Sequence, residues 1–112
     1  MSDVYKIIIL PEAQKDIRSI VLYIAKELAA PQAALKLEND FEEGIKSLSK
    51  MPKRIRTVDE QPWKDKGIRK TRVKNYYIYF IIDEEIKAVK ILAVIYVKMD
   101  QKKQMTERQL DK

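Results

Sequence analysis

Six basic side chains fall within a short stretch of this sequence and could bind or polarise an anion. They are Lys64, Lys66, Arg69, Lys70, Arg72 and Lys74, and Asp65 is the one acidic residue among them. Lys70, Arg72 and Lys74 alternate along the chain, so a strand would project all three cations from one face. Such a cluster suits a polyanion or an acidic protein partner. The alternative is a solvated charged face that has no ligand.

The residue types that are missing narrow the chemistry further. The chain of 112 residues contains no histidine, no cysteine and only 2 glycines. Disulfides, a thiol nucleophile, thiolate metal sites and the commonest general base are therefore excluded. Glycine-rich phosphate loops cannot be built either. Acid–base chemistry would rest on Lys, Arg, Tyr, Asp or Glu, and we expect neither a metal nor a cofactor.

The first half of the chain predicts a strand followed by a helical hairpin. Residues 4–10 are a β-branched run, which favours a strand that ends at Pro11. Apolar residues spaced by three and four predict one helix up to Leu28 and a second that starts at Pro31. Because the link is short, the two helices over residues 11–50 must run antiparallel.

The second half predicts a loop and then three strands. Residues 51–66 are polar, and Trp63 is the one large apolar anchor of this loop. A period of two follows, and it predicts an antiparallel meander over residues 67–74, 76–82 and 88–97. The fold class is α+β, a two-layer sandwich in which the helical hairpin covers one face of the sheet.

The length fits a single domain over residues 1–100 with a polar C-terminal tail over residues 101–112. Met105 and Leu110 are the apolar residues of the tail, which we expect to be frayed, or a short helix that needs a partner. No segment approaches the roughly 18 apolar residues of a membrane span. The first residues lack the layout of a signal peptide, so we expect a cytoplasmic protein with no membrane partner.

Several short segments along the chain are informative through their order and spacing. They are Leu10-Pro11-Glu12-Ala13, Asp16-Ile17, Ile20, Tyr23-Ile24, Pro31-Gln32-Ala33-Ala34, Gly67-Ile68-Arg69-Lys70, Val73, Asn75-Tyr76, Tyr79-Phe80, Ile91 to Tyr96, Lys98 and Asp100. In order and spacing the chain resembles the RelE/ParE superfamily of bacterial type II toxin–antitoxin toxins. The long helical hairpin looks more like the ParE and plasmid-stabilisation branch than the compact RelE branch.

This resemblance implies a toxin that inhibits growth when free and is neutralised by a cognate antitoxin in a hetero-oligomer. ParE-like members inhibit DNA gyrase and are not nucleases, whereas RelE-like members cleave messenger RNA on the ribosome. We favour the ParE-like function. A RelE-like endoribonuclease and a non-toxic member that acts only in the antitoxin complex are the alternatives.

The RelE-like alternative implies catalytic roles for four residues. Lys70, Arg72 and Lys98 would stabilise the phosphorane, and Tyr76 would stack on a base or donate a proton. Tyr77 stands where RelE-like nucleases usually have an arginine, and Ile68 replaces a lysine. Residues 97–112 contain no tyrosine to match the nucleases' C-terminal one.

In either branch one surface is predicted to bind the target or an acidic antitoxin segment. Its residues are Arg69, Lys70, Arg72, Lys74, Tyr77, Tyr96 and Lys98. Cross-strand packing is the alternative role for the tyrosines, and solvation of a sheet face is the alternative role for Lys70 and Arg72.

Overall fold

The computed structural model describes residues 4–108, which form a mixed sheet packed against a helical hairpin. Strand β1 (Lys6–Ile9) leads into helix α1 (Pro11–Leu22), and helix α2 (Pro31–Lys46) completes the hairpin. Strands β2 (Arg69–Val73), β3 (Tyr76–Asp83) and β4 (Ala88–Tyr96) follow, and helix α3 (Gln101–Glu107) comes last. The predicted α+β architecture is confirmed.

The sheet has the order β1-β4-β3-β2, in which β1 runs parallel to β4 and the other neighbours are antiparallel. The register shifts within the β3–β4 pair, where Tyr79 lies opposite Ala93 and Phe80 opposite Ile91. Leu92 is therefore the extra residue of a β-bulge. Past this bulge the alternation of β4 side chains between the two faces is reversed.

Each helix of the hairpin begins at a proline, and the chain turns after a π-helical segment that follows α1. Pro11 and Pro31 each occupy the first turn of their helix, where a missing N–H costs nothing. After α1 the chain forms one π-helical turn (Tyr23–Glu27) before Ala29 takes a left-handed conformation with φ of +50°. Apolar side chains of both helices pack on the sheet around Phe41, which is fully buried.

The second face of the sheet is also covered. The sequence predicts two layers, the sheet and the hairpin, and the structure adds a cover on the opposite face. The loop between α2 and β2 buries Trp63 against this face, as the sequence indicated. Helix α3 adds Met105, which is 2% exposed. Of the two structures considered for the tail, a helix forms over residues 101–107, and it packs on the chain itself. Leu110 lies outside the described residues.

Within residues 4–108, no helix is long and apolar enough to cross a membrane. The longest helix, α2, has 16 residues.

Gly44 lies where α2 packs closely against strand β2. A Cβ atom added at this position would lie 2.5 Å from a methyl group of Val73 on β2. We predict that Gly44→Ala lowers the free energy of unfolding by about 1–3 kcal/mol, because the β-branched Val73 cannot move aside without repacking. Urea denaturation of the purified chain measures the change.

Val73→Ala supplies the control for this contact. In the double variant the added methyl has room, so the cost of the two substitutions should be less than the sum of the single costs. Strict additivity would show that the clash is absent.

Candidate functional site

Lys70 and Arg72 lie together on the sheet face that points away from the hairpin. In the β2–β3 register Lys70 is opposite Tyr79 and Arg72 is opposite Tyr77. The Lys70 Nζ atom is 4.2 Å from the centroid of the Tyr77 ring, a cation–π contact. The structure therefore brings together three predicted site residues, Lys70, Arg72 and Tyr77, which we call the basic strand face.

Lys74 does not extend this row. Strand β2 ends at Val73, and Lys74 occupies the two-residue turn to β3 with φ of +53°. Its ammonium group lies 3.9 Å from a carboxylate oxygen of Asp40 on α2. The prediction that three cations share one face is wrong at Lys74, because the chain turns before a third alternate position is reached.

Arg69 is also directed away from the basic strand face. Its guanidinium donates hydrogen bonds to the carbonyl oxygens of Ile55 and Lys53 at 2.5 and 3.5 Å. Thr57 forms a β-bridge with the same residue. Arg69 thus holds the preceding loop along the free edge of β2 through hydrogen bonds.

Tyr76 and Tyr96 lie on the hairpin side of the sheet. The Tyr76 ring meets the ring of Phe41 edge-on at 5.3 Å and the ring of Tyr96 at 5.6 Å. Burial raises the pKa of the Tyr76 phenol above its ordinary value. Tyr96 remains 39% exposed. Tyr76 has the cross-strand packing that the sequence predicts as the alternative role of the tyrosines.

Lys98 lies two residues beyond the end of β4, in the turn that leads to α3. The sequence pattern predicts a last strand over residues 88–97, which would put Lys98 at its end, but pairing with β3 stops at Tyr96, which lies opposite Tyr76. Its side chain is exposed.

Several residues that the sequence did not single out surround Lys70. A cavity of about 50 Å³ is lined by Val58, Glu60, Trp63, Lys70, Tyr79, Gln101, Lys102 and Met105. An adjoining cleft of about 220 Å³ shares Lys70 and Glu60. Glu60 and Gln101 come from a loop and a short helix, and no local pattern indicates that they meet Lys70. Chemically, the arrangement offers an ammonium and a carboxylate at one cleft.

Tyr79 connects this cavity to helix α3. Burial, reinforced by the nearby Glu60 carboxylate, raises the pKa of its phenol to about 12. The Tyr79 hydroxyl donates a hydrogen bond of 2.7 Å to the side-chain oxygen of Gln101. The Gln101 amide in turn donates to the carbonyl oxygens of Tyr96 and Met99 at 2.8 and 2.9 Å.

Asp16 holds the other end of α3. Both of its carboxylate oxygens accept hydrogen bonds from Arg108, at 2.7 and 2.9 Å, and one also accepts the backbone N–H of Val94 at 2.9 Å. The side chains of Asp16 and Arg108 are only 13% and 16% exposed. One carboxylate thus joins α1, β4 and the C-terminal segment in a bidentate ion pair.

A second concave surface lies on the hairpin and was not predicted. It is an apolar groove of about 540 Å³ between α1 and α2, with β1 as its floor. We call it the hairpin groove, and it is lined by Ile7, Ile9, Gln14, Ile17, Arg18, Val21, Leu22, Glu38, Phe41, Glu42, Ile45 and Lys46. The apolar spacing of the helices predicts buried helix faces, but Ile17 and Val21 of α1 are only partly buried and line this groove.

No cluster of three or more acidic side chains that could hold a metal ion occurs in the part of the chain that the structure describes.

Three solved structures are similar to this one in overall fold. The chromosomal ParDE toxin–antitoxin system of P. aeruginosa aligns with a TM-score of 0.70 at 21% identity, over 87% of this chain and 100% of that one. The RelBE2 toxin–antitoxin complex of Mycobacterium tuberculosis aligns with a TM-score of 0.58 at 20% identity, over 83% and 91%. A doubly substituted E. coli RelE in the free state aligns with a TM-score of 0.62 at 13% identity, over 95% and 98%.

By its fold the chain is therefore similar to these small α+β proteins. Residues 7–101 match the family described as the ParE toxin of the type II toxin–antitoxin system parDE. The chain belongs to this family, which confirms the resemblance to the RelE/ParE superfamily. No curated protein matches the chain.

The Asp16–Arg108 pair should make a large contribution to stability. We predict that Asp16→Ala lowers the free energy of unfolding by about 3–5 kcal/mol, because it leaves a mostly buried guanidinium and the Val94 N–H without their acceptor. Thermal denaturation followed by circular dichroism measures the change. Glu12→Ala is the matched control, since this 61% exposed carboxylate lies 3.9 Å from Arg108 and should cost under about 1 kcal/mol. Equal effects would contradict the assignment.

The raised pKa of Tyr79 gives a pH dependence with a definite sign. Below pH 10 the phenol is neutral in both states, and between about pH 10 and 12 it ionises in the unfolded chain first. Stability should therefore fall as the pH rises through this window, because the unfolded state releases the proton more readily. Titration of tyrosine absorbance at 295 nm should show a late component that Tyr79→Phe removes.

Proposed function

We propose that this toxin arrests growth as a binding protein that inhibits DNA gyrase, in the manner of the ParE branch, and that it does so without nuclease chemistry. The toxin would act in the cytoplasm, where gyrase acts on the chromosome. A cognate antitoxin neutralises it by binding the free toxin.

The observation that carries this proposal is the separation of the four nuclease candidates. Lys70 and Arg72 extend from the basic strand face, whereas Tyr76 packs against Phe41 on the hairpin side. Lys98 stands in the exposed turn after β4. General acid–base catalysis needs its groups within hydrogen-bonding distance of one phosphate. Groups on opposite faces of a sheet cannot meet this requirement together.

The RelE-like endoribonuclease remains the second candidate, and one observation favours it. Lys70 and Glu60 line the same cavity and the same adjoining cleft. An ammonium and a carboxylate at one site could stabilise a phosphorane and accept the proton of a ribose 2′-hydroxyl. In this alternative the ribosome would hold the messenger RNA in place.

This chain offers the antitoxin two surfaces for docking. The basic strand face would attract an acidic segment by charge, as the sequence suggested. The hairpin groove offers apolar area, which is the larger source of affinity in protein association. We propose that the groove supplies most of the affinity and that the basic strand face supplies steering.

Pulse-labelling after induction without antitoxin tests the target. We predict that thymidine incorporation falls within minutes while methionine incorporation continues, because a gyrase inhibitor stops replication before translation. The variant with Lys70→Ala and Arg72→Ala should remain toxic, as should the control variant with Lys26→Ala and Lys36→Ala on the hairpin. Purified chain should inhibit supercoiling by the gyrase of the arrested host.

The alternatives give different results in the same experiment. An early fall in methionine incorporation, with toxicity lost only in the Lys70 and Arg72 variant, would establish the nuclease. Undisturbed growth at high expression of the wild-type chain would identify a non-toxic member that acts only in the antitoxin complex.

A further inference from the structure

The hairpin groove leaves apolar side chains of two helices open to water. Its volume is about 540 Å³, and Leu22, on its wall, is 45% exposed. Ile17 and Val21 of α1 are only partly buried there. Contiguous apolar surface of this kind marks a site of protein association. The charged side chains in the lining should therefore indicate which partner fits.

Two of these charged side chains stand at the same level of the groove and carry opposite charges. The exposed Arg18 lies midway along the α1 residues that line the groove, 14–22, and the exposed Glu42 lies midway along the α2 residues that do so, 38–46. Both ranges are equal in length, roughly 12 Å of helix. Because the helices of the hairpin run in opposite directions, the two midpoints face each other across the groove.

Arg18 and Glu42 nevertheless do not neutralise each other within one chain. Among residues 4–108, neither side chain forms an ion pair within 4.0 Å. Together with Glu38 and Lys46 they give the lining a charge of zero, so the groove exerts no net attraction on a partner of either charge. A partner that places a carboxylate against Arg18 and a cation against Glu42 would satisfy both.

A second copy of this chain meets that requirement by symmetry. In a face-to-face dimer, a two-fold axis that runs along the groove puts α1 of each copy against α2 of the other. Arg18 of one copy then lies opposite Glu42 of the other, and the same pair recurs on the far side of the axis. An axis across the groove would instead set Arg18 against Arg18 and Glu42 against Glu42, and repulsion between like charges opposes that arrangement.

We propose that the hairpin groove is the interface of a two-fold homodimer, in which Arg18 of each copy pairs with Glu42 of the other. The apolar side chains between the two pairs supply the affinity, and the pairs fix the direction of the axis. The same groove is the proposed antitoxin surface, so the dimer and the antitoxin complex exclude each other. The dimer requires this chain alone, and its failure would leave the proposed function untouched.

Sedimentation equilibrium of the full-length chain tests the dimer. The wild type should approach twice the chain mass of 13.2 kDa as its concentration rises through the micromolar range. Arg18→Glu and Glu42→Arg should each weaken dimerisation by about a hundredfold, because each variant sets like charges against each other on both sides of the axis. An equimolar mixture of the two variants should associate within about threefold of the wild type, because every pair in the mixed dimer is attractive.

The controls change the net charge by the same amounts outside the groove. They are Lys15→Glu and Glu43→Arg, at exposed positions of α1 and α2. Each control should dimerise within about twofold of the wild type, and mixing the two should change nothing further.

A matched pair of leucines tests the apolar part of the interface. Leu22 lines the groove, whereas Leu28 lies outside it and is 56% exposed. Leu22→Glu should weaken dimerisation by about a hundredfold, and Leu28→Glu should leave it unchanged. Circular dichroism establishes that the variants are folded.

Each contrary outcome overturns the proposal or a defined part of it. A wild-type chain that stays monomeric at about 1 mM would overturn the dimer. Association that the single charge reversals leave unchanged, or that their mixture fails to restore, would overturn the pairing of Arg18 with Glu42. A dimer that tolerates Leu22→Glu would place the interface outside the groove. Growth to oligomers larger than a dimer would contradict a closed two-fold contact.

Discussion

Strand β4 has to be covered on both of its faces, and the rest of the fold follows from this constraint. Five of its residues from Val89 to Val94 are nearly inaccessible to solvent. One face is covered by the hairpin through Phe41, and the other by the loop around Trp63 and by Met105 of α3. The C-terminal helix is therefore part of the packed domain. Its seven residues are too few to be stable alone, so its contacts through Gln101 and Arg108 must keep it in place.

The same two-sided burial divides the side chains that could do chemistry. Because alternate residues of a strand point to opposite faces, neighbours such as Tyr76 and Tyr77 enter different environments. Tyr77 contacts the ammonium of Lys70, whereas Tyr76 packs beneath the helices. A set of basic and aromatic residues that is compact in sequence is thus split by the sheet.

The two concave surfaces of the molecule differ in kind. Around Lys70 the surface is small, polar and basic, and its walls are tied by hydrogen bonds through Tyr79 and Gln101. The hairpin groove is larger and apolar, and the charges of Arg18, Glu38, Glu42 and Lys46 in its lining sum to zero. The charge distribution along the sequence predicts the surface around Lys70 but does not predict the hairpin groove. Association driven by apolar area fits the groove.

The sequence alone determined the element order, the hairpin and the fold class, because these depend on local signals. Pro11 and Pro31 start helices, apolar spacing identifies the buried helix faces, and β-branched runs identify the strands. Tertiary structure alone decided what depends on distant residues. The bulge at Leu92, the turn that removes Lys74 from the basic row, and the meeting of Asp16 with Arg108 each arise from pairing between segments far apart in the chain. The hairpin groove belongs to the same group, because its lining comes from three separate elements, β1, α1 and α2.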